Sequence, residues 1–137
     1  MKRFTISFAV ISTLSYPAFA QDDQIDCANA MAQVEMNICA ARDYETADKE
    51  LNAIWKEAHA AAKETDAEQP EELKGAEKAL LAGQRGWIAY RDGQCELAGF
   101  EARGGSMEPM IVSGCKADLT RARTKELRET LLGEQPQ

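Results

Sequence analysis

The residues best equipped for chemistry in this chain are a single histidine, His59, the carboxylates Glu35, Asp43 and Asp48, and four cysteines, Cys27, Cys39, Cys95 and Cys115. A histidine acting as general base needs a nucleophile or acid within reach. The sequence places no serine or cysteine near His59, whose neighbour one helical turn earlier is Trp55. Glycoside hydrolysis works through one protonated and one ionised carboxyl, so Glu35, Asp43 and Asp48 invite that reading. Among 23 acidic residues at helical spacing, however, such pairs arise simply as a wet helix face. Zinc would ask for CxxC pairs or clustered histidines, and the chain has neither. No glycine-rich phosphate loop lies between a strand and a helix. The chain is therefore read as a non-enzyme that calls for no metal and no cofactor.

What remains is a stretch suited to recognition, QRGWIAYRDGQC from Gln84 to Cys95. Tryptophan, tyrosine and arginine dominate protein-binding hot spots. Tyr90, Arg91 and Asp92 are accordingly candidate partner-binding residues, joined by Arg103 in a glycine-rich loop. The competing reading makes Trp87 and Ile88 core, turns the Tyr90 hydroxyl to solvent, and pairs Arg91 and Asp92 with the preceding helix.

The elements that position these residues are helical. Met36, Ala40, Tyr44, Ala47, Leu51, Ile54 and Ala58 recur at spacings of three and four, which predicts a first helix over about 32–64. Thr65-Asp66 and Pro70 mark a turn, and Glu71-Glu72 place negative charge where a second helix begins, over about 71–98. This helix contains Gly75, Gly83, Gly86 and Gly93, each costing about 1 kcal/mol relative to alanine in a helix interior. Gly83 on the apolar stripe would let a neighbouring helix approach, while Gly86 and Gly93 mark either a bend or close contact. Phe100 to Gly105 reads as a loop, Ser106 as an N-cap, and about 107–132 as a third helix carrying Cys115, Leu119, Ala122, Leu127 and Leu131. The expected fold is all-α, a small bundle of about three helices stapled by disulfides.

Composition places this domain outside the cytoplasm. Met1 to Arg3 are basic, Phe4 to Leu14 are mostly apolar, and Ala18-Phe19-Ala20 offers small residues for a signal peptidase, so residues 1–20 are expected to be a cleaved signal peptide. Polar residues interrupt the run too often for a membrane span. A lipid anchor would need a cysteine directly after the cleavage point, and the first is Cys27. The expectation is a soluble periplasmic or secreted protein with one domain over 21–137. Loss of Lys2 and Arg3 with the leader takes the formal charge from −7 to −9. That charge disfavours nucleic acid and anionic membranes and favours a basic protein partner.

Four cysteines in an oxidising compartment imply two disulfides, each contributing about 2–4 kcal/mol. Two arguments about pairing compete. An antiparallel hairpin turning near residue 67 would hold Cys39 and Cys95 at one height, which favours Cys39–Cys95 with Cys27–Cys115. Cys39, though, lies on the flank of its helix's apolar stripe, where it suits a bond to the short segment bearing Cys27. The second argument favours Cys27–Cys39 with Cys95–Cys115.

The stretch DCANAMAQVEMNICAARDYETADKELNAIW, followed in order by QRGWIAYRDGQC, GGSMEP and CKADLTRARTKEL, resembles the LprI-like lysozyme-inhibitor family over about Asp26 to Leu131. The resemblance implies an exported, all-helical protein with two local disulfide pairs. It also implies a function of binding and blocking lysozyme or another cell-wall lytic enzyme. Many lysozymes are basic, so an acidic inhibitor would be steered to them, and Arg91 or Arg103 would meet the carboxylates of the cleft. Loop residues Arg103 to Glu108 are sterically freest to enter one. The alternative is an envelope structural or accessory protein without inhibitory activity.

Overall fold

The computed structural model describes residues 25–133; the expected signal peptide lies outside them. Three helices, α1 (Gln33–Ala67), α2 (Ala76–Gly99) and α3 (Glu108–Leu127), form the bundle, with no strand among the described residues. Single 3-10 turns at Glu71–Leu73 and Phe100–Ala102 serve the two connections, and a wider π turn, Arg128–Leu132, prolongs α3. No helix among the described residues is long and apolar enough to cross a membrane.

The predicted stripe of α1 is its buried face. Ala47, Leu51, Ile54, Ala58 and Ala62 are all buried along 35 helical residues, a rod of about 52 Å at 1.5 Å per residue. Its start is held by Glu35, whose Oε2 accepts from the backbone N–H of Met31 and Ala32, each at 3.2 Å. This is half of a capping box, since the N-cap residue Ala32 has no side-chain acceptor to complete it.

Helix α3 packs chiefly on α1, and the expected stripe is only partly its buried face: Leu127 is in the core and Leu131 packs on it, but Ala117, Thr120 and Thr124 were not foreseen. Its buried positions are Ala117, Thr120, Thr124 and Leu127, while Ala122 is exposed. The threonines are enclosed almost completely, Thr120 at 0% and Thr124 at 2% exposure. Thr124 satisfies its hydroxyl locally by donating to the Thr120 carbonyl at 3.0 Å. Leu127 joins Leu51, Ile54 and Ala58 in the core, with Trp55, Leu80, Trp87, Leu131 and Leu132 packed around it. Ion pairs at the rim, Asp43 with Arg121 and Glu50 with Arg128 at 3.0 Å, fix the register of α1 against α3.

Helix α2 begins later than its charge pattern suggests. The segment from Glu71 makes only a 3-10 turn, and the helix proper starts after Gly75, whose φ of +154° and ψ of 0° suit glycine. The first three N–H groups of the helix region are capped from a distance. Asp66 accepts from Gly75 and Ala76 at 2.8 Å and from Glu77 at 3.0 Å. Those donors hold the Asp66 carboxyl below the usual carboxylate range.

The glycines of α2 divide differently from the sequence expectation. A Cβ at Gly86 or Gly93 would meet nothing within 4 Å, and at Gly83 only the Arg123 guanidinium at 4.0 Å, so none of the three forms a tight helix contact. The close approach is at Gly99, one position past the expected end of the second helix. It is the buried last residue of α2, and a Cβ there would lie 2.6 Å from Val112 Cγ2 of α3. Ser106 is not the cap of α3 either. Met107 holds that position without a side-chain hydrogen bond, and Glu108 and Pro109 form the first turn.

The disulfides join Cys27 to Cys39 and Cys95 to Cys115, with Cα separations of 5.5 and 5.4 Å. The alternative pairing of Cys39 with Cys95 is absent because Cys95 faces α3 rather than α1. Both staples sit toward the same end of the bundle, where the N-terminal segment and the α2–α3 loop meet.

Candidate functional site

Helix α2 turns Arg91 inward. The residue is 8% exposed, and its guanidinium lies 5.4 Å from the centroid of Tyr44 and 5.1 Å from that of Trp87. Cation–π contact with two rings suits a delocalised, weakly hydrated cation, as an ammonium would not. Its Nε donates to Asp92 Oδ1 at 3.0 Å, and Nη1 lies 3.7 Å from Asp48 of α1. Lys116 of α3 approaches Asp92 at 3.5 Å and the Tyr44 ring at 5.8 Å. Arg91 thus ties α2 to α1, and Lys116 of α3 joins the cluster through Asp92 and Tyr44. Burial pushes the Tyr44 phenol above its usual pKa, against the opposing pull of Arg91. Burial also works to raise Asp92, but the hydrogen bond and charge of Arg91, with Lys116 behind them, hold it below the ordinary carboxylate value.

The candidate partner residues therefore separate. Arg91 is interior and Asp92 is committed to Arg91 and Lys116. Tyr90, by contrast, is 57% exposed, and Ile88, expected in the core, is exposed as well. The pattern misleads because α2 buries the face through Arg91, Cys95 and Gly99 and leaves its opposite face to solvent.

Arg103 lies in a different setting, on the loop that joins α2 to α3. The loop leaves α2 through one 3-10 turn, with Gly104 at φ +76° to make the reversal. Glu108 organises it with both carboxylate oxygens: Oε1 accepts from Arg103 Nη1 at 3.0 Å and Oε2 from the Gly104 N–H at 2.7 Å. Gly105 donates to the Ala102 carbonyl at 2.8 Å, and Asn37 of α1 donates to the Ser106 carbonyl at 2.9 Å. Arg103 also lies over the Phe100 ring, 4.5 Å from its centroid, with Glu96 at 3.8 Å. Its side chain nevertheless stays 53% exposed.

Around this pinned loop the surface is apolar. Phe100 and Met107 are half-exposed, and the first residues of the adjoining α1 segment, Met31 and Val34, stand open to solvent. The segment that bears Met31 is itself anchored by Cys27–Cys39 and by Arg42, which donates to the Ile25 carbonyl at 3.2 Å. The sequence did not point to Asn37, Glu108, Met31 or Val34 as parts of one surface. Asn37 and Glu108 are 71 positions apart in number, and only the Asn37 bond to the loop brings their segments together.

None of the residues considered for catalysis is assembled into a reacting set. His59 pairs with Glu77 at 2.8 Å and stacks on Trp55, Glu35 caps α1, Asp43 pairs with Arg121, and Asp48 accepts from Asn52 at 2.8 Å. No group of three or more histidine, cysteine or acidic residues capable of holding a metal occurs among the described residues.

A family model described as lysozyme inhibitor LprI matches residues 26–127. An uncharacterized protein of Rhizobium meliloti (strain 1021) is 50% identical over 134 residues, covering 96% of each chain. No solved structure matches.

Proposed function

The chain belongs to the lysozyme inhibitor LprI family, and on that premise we propose that it is an exported protein that binds and blocks a lysozyme or a related cell-wall lytic enzyme. The family match over 26–127 is the observation that carries this reading. Two disulfides fit an oxidising compartment, as a periplasmic or secreted location requires.

The stapled end of the bundle is the inhibitory surface in this proposal. A binding loop that is already rigid loses little conformational freedom on complex formation. The Glu108 bridge, the Asn37 bond and the Cys95–Cys115 staple at its base supply that rigidity. Arg103 presents a cation toward the carboxylates that a glycosidase cleft holds. Met107 and Met31 supply apolar contact around it. The acidic remainder of the molecule, at formal charge −7 for the full chain, draws a basic enzyme in.

Titrating the mature protein into a lysozyme turbidity assay at several salt concentrations tests this. The expected result is inhibition that weakens as salt rises, with Arg103→Ala losing at least tenfold in potency and Arg91→Lys largely retaining it if folded. Undiminished lysis at excess protein and low salt would sink the inhibitor reading for that enzyme and leave the accessory role.

A further inference from the structure

Among the described residues the outward face of α2 is open from Gly86 to Leu97 and is approached only at its ends, by the guanidinium of Arg123 at Gly83 and by that of Arg103 over Phe100 in the turn that follows, and its side chains keep a strict pattern. Gly83, Gly86, Tyr90, Gly93, Leu97 and Phe100 alternate at spacings of three and four, the a and d positions of a heptad seam. Tyr90, Leu97 and Phe100 are 57%, 64% and 54% exposed. Gly86 and Gly93 face open space, and each costs about 1 kcal/mol of helix propensity that no internal contact offsets.

From these positions we infer that α2 pairs with α2 of a second copy of this chain, antiparallel, in a twofold-symmetric dimer. An isologous helix pair sets each residue opposite the one equally far on the other side of the axis. With the axis midway between Arg91 and Asp92, Phe100 faces the partner's Gly83, Leu97 faces the partner's Gly86, and Tyr90 faces the partner's Gly93. Each large side chain meets a glycine, so the helices close without overlap. A parallel pair would instead set Tyr90 on the partner's Tyr90 and glycine on glycine, leaving voids beside clashes.

Charge agrees with the antiparallel direction. Arg85 and Glu96 lie along one flank of the seam, on opposite sides of the axis. Arg85 is exposed and has no carboxylate partner among the described residues. In the antiparallel pair it falls within one helical turn of the partner's Glu96, and the symmetry repeats the contact. Glu96 is held at home only by the loose 3.8 Å approach of Arg103. The dimer leaves Arg103 to Met107 of the two copies at opposite ends of the seam, so it extends the proposed inhibitory role without depending on it.

Sedimentation equilibrium of the mature protein tests the pairing, independently of any lytic assay. The expected mass is twice that of one chain at the upper end of the concentration series; a single-chain mass throughout would overturn the dimer. Gly93→Tyr puts tyrosine against tyrosine and is expected to weaken dimerisation at least tenfold. Adding Tyr90→Gly to it restores the large-to-small match and is expected to recover most of that loss. A Gly93→Tyr variant that stays fully dimeric would overturn the face, and a double variant no better than the single would overturn the register. Leu97→Gln, at an exposed position that leaves the fold intact, provides the same reading of the face should the tyrosine variant not fold. Its dissociation supports the pairing, and an unchanged dimer counts against it.

Discussion

Arg91 and Arg103 have the same kinds of neighbours and different fates. Each lies over an aromatic ring and beside two carboxylates: Tyr44 and Trp87 with Asp48 and Asp92 for one, Phe100 with Glu96 and Glu108 for the other. Arg91 is enclosed where three helices converge, whereas Arg103 stands on a loop with half its side chain in water. Residue chemistry alone does not separate mortar from recognition; the depth at which the backbone sets each side chain does. In water an ion pair is screened and contributes little. An enclosed guanidinium, by contrast, cannot be removed without losing its ring contacts and its packing.

The largest expected effect follows from that difference. Arg91→Ala is expected to destabilise the fold by about 3 kcal/mol, since it removes two ring contacts and leaves Asp92 partly buried beside Lys116 alone. Arg103→Ala is expected to cost less than about 1 kcal/mol, as an exposed pair does. Urea denaturation of the two variants and the parent measures both. Equal losses would break the distinction between the two arginines.

An intermediate effect concerns the junction between the two regions. Gly99→Ala would bring a methyl to 2.6 Å from Val112 Cγ2, and a valine side chain, stiff about χ1, has no easy way to yield. Overpacking of this kind costs about 1–3 kcal/mol. The strain falls at the base of the Arg103 loop, between Cys95–Cys115 and Glu108, and is expected to lower stability and inhibitory potency together. Gly86→Ala, with nothing of its own chain within 4 Å, is expected to keep the single-chain fold at least as stable when melted at concentrations too low for pairing. Thermal melts of the two glycine variants make the comparison, and equal melting temperatures would remove Gly99 from this role.

How much of this was legible in the sequence depends on the range of the interaction. The stripe of α1 could be read because Leu51, Ile54 and Ala58 repeat within a few turns, and a stapled three-helix bundle followed. The face of α2 could not, because Trp87, Ile88, Tyr90 and Arg91 spread apolar and aromatic character around the whole helix. Only the packing of α3, through Cys95 and Gly99, decides which side is inside. Thr120 and Thr124 escaped notice because a threonine is ordinarily read as a surface residue, and only the folded packing encloses these two. Asp66 was seen as a turn residue, but its role as the distant cap of α2 depends on where Gly75 returns in space. The exposed loop end gave the weakest signal, since Asn37, Ser106 and Glu108 carry no shared motif and are tied together only in the folded chain.

The smallest expected effect is a pH dependence that belongs to the buried arginine alone. The folded-state pKa of Asp92 lies below its ordinary value: burial pushes it up, and the hydrogen bond and charge of Arg91, joined by Lys116, outweigh that push. A carboxyl depressed in this way contributes stability that is fully present above its unfolded pKa, about 3.9, and is lost as pH falls through the lower folded value. Asp66 is depressed too, by the N–H groups of Gly75, Ala76 and Glu77, so the parent and Arg91→Ala share that acid loss and it cancels between them. What does not cancel is the part of Asp92 that Arg91 supplies. The stability gap between parent and Arg91→Ala, measured by urea denaturation, is therefore expected to be constant from neutral pH down to about 5 and to narrow below about 4. The narrowing is modest because Asp92 keeps 45% of its side chain in solvent, which screens the interaction. A gap that stays constant to pH 3 would mean that Arg91 stabilises the bundle through Tyr44 and Trp87 and not through its carboxylate.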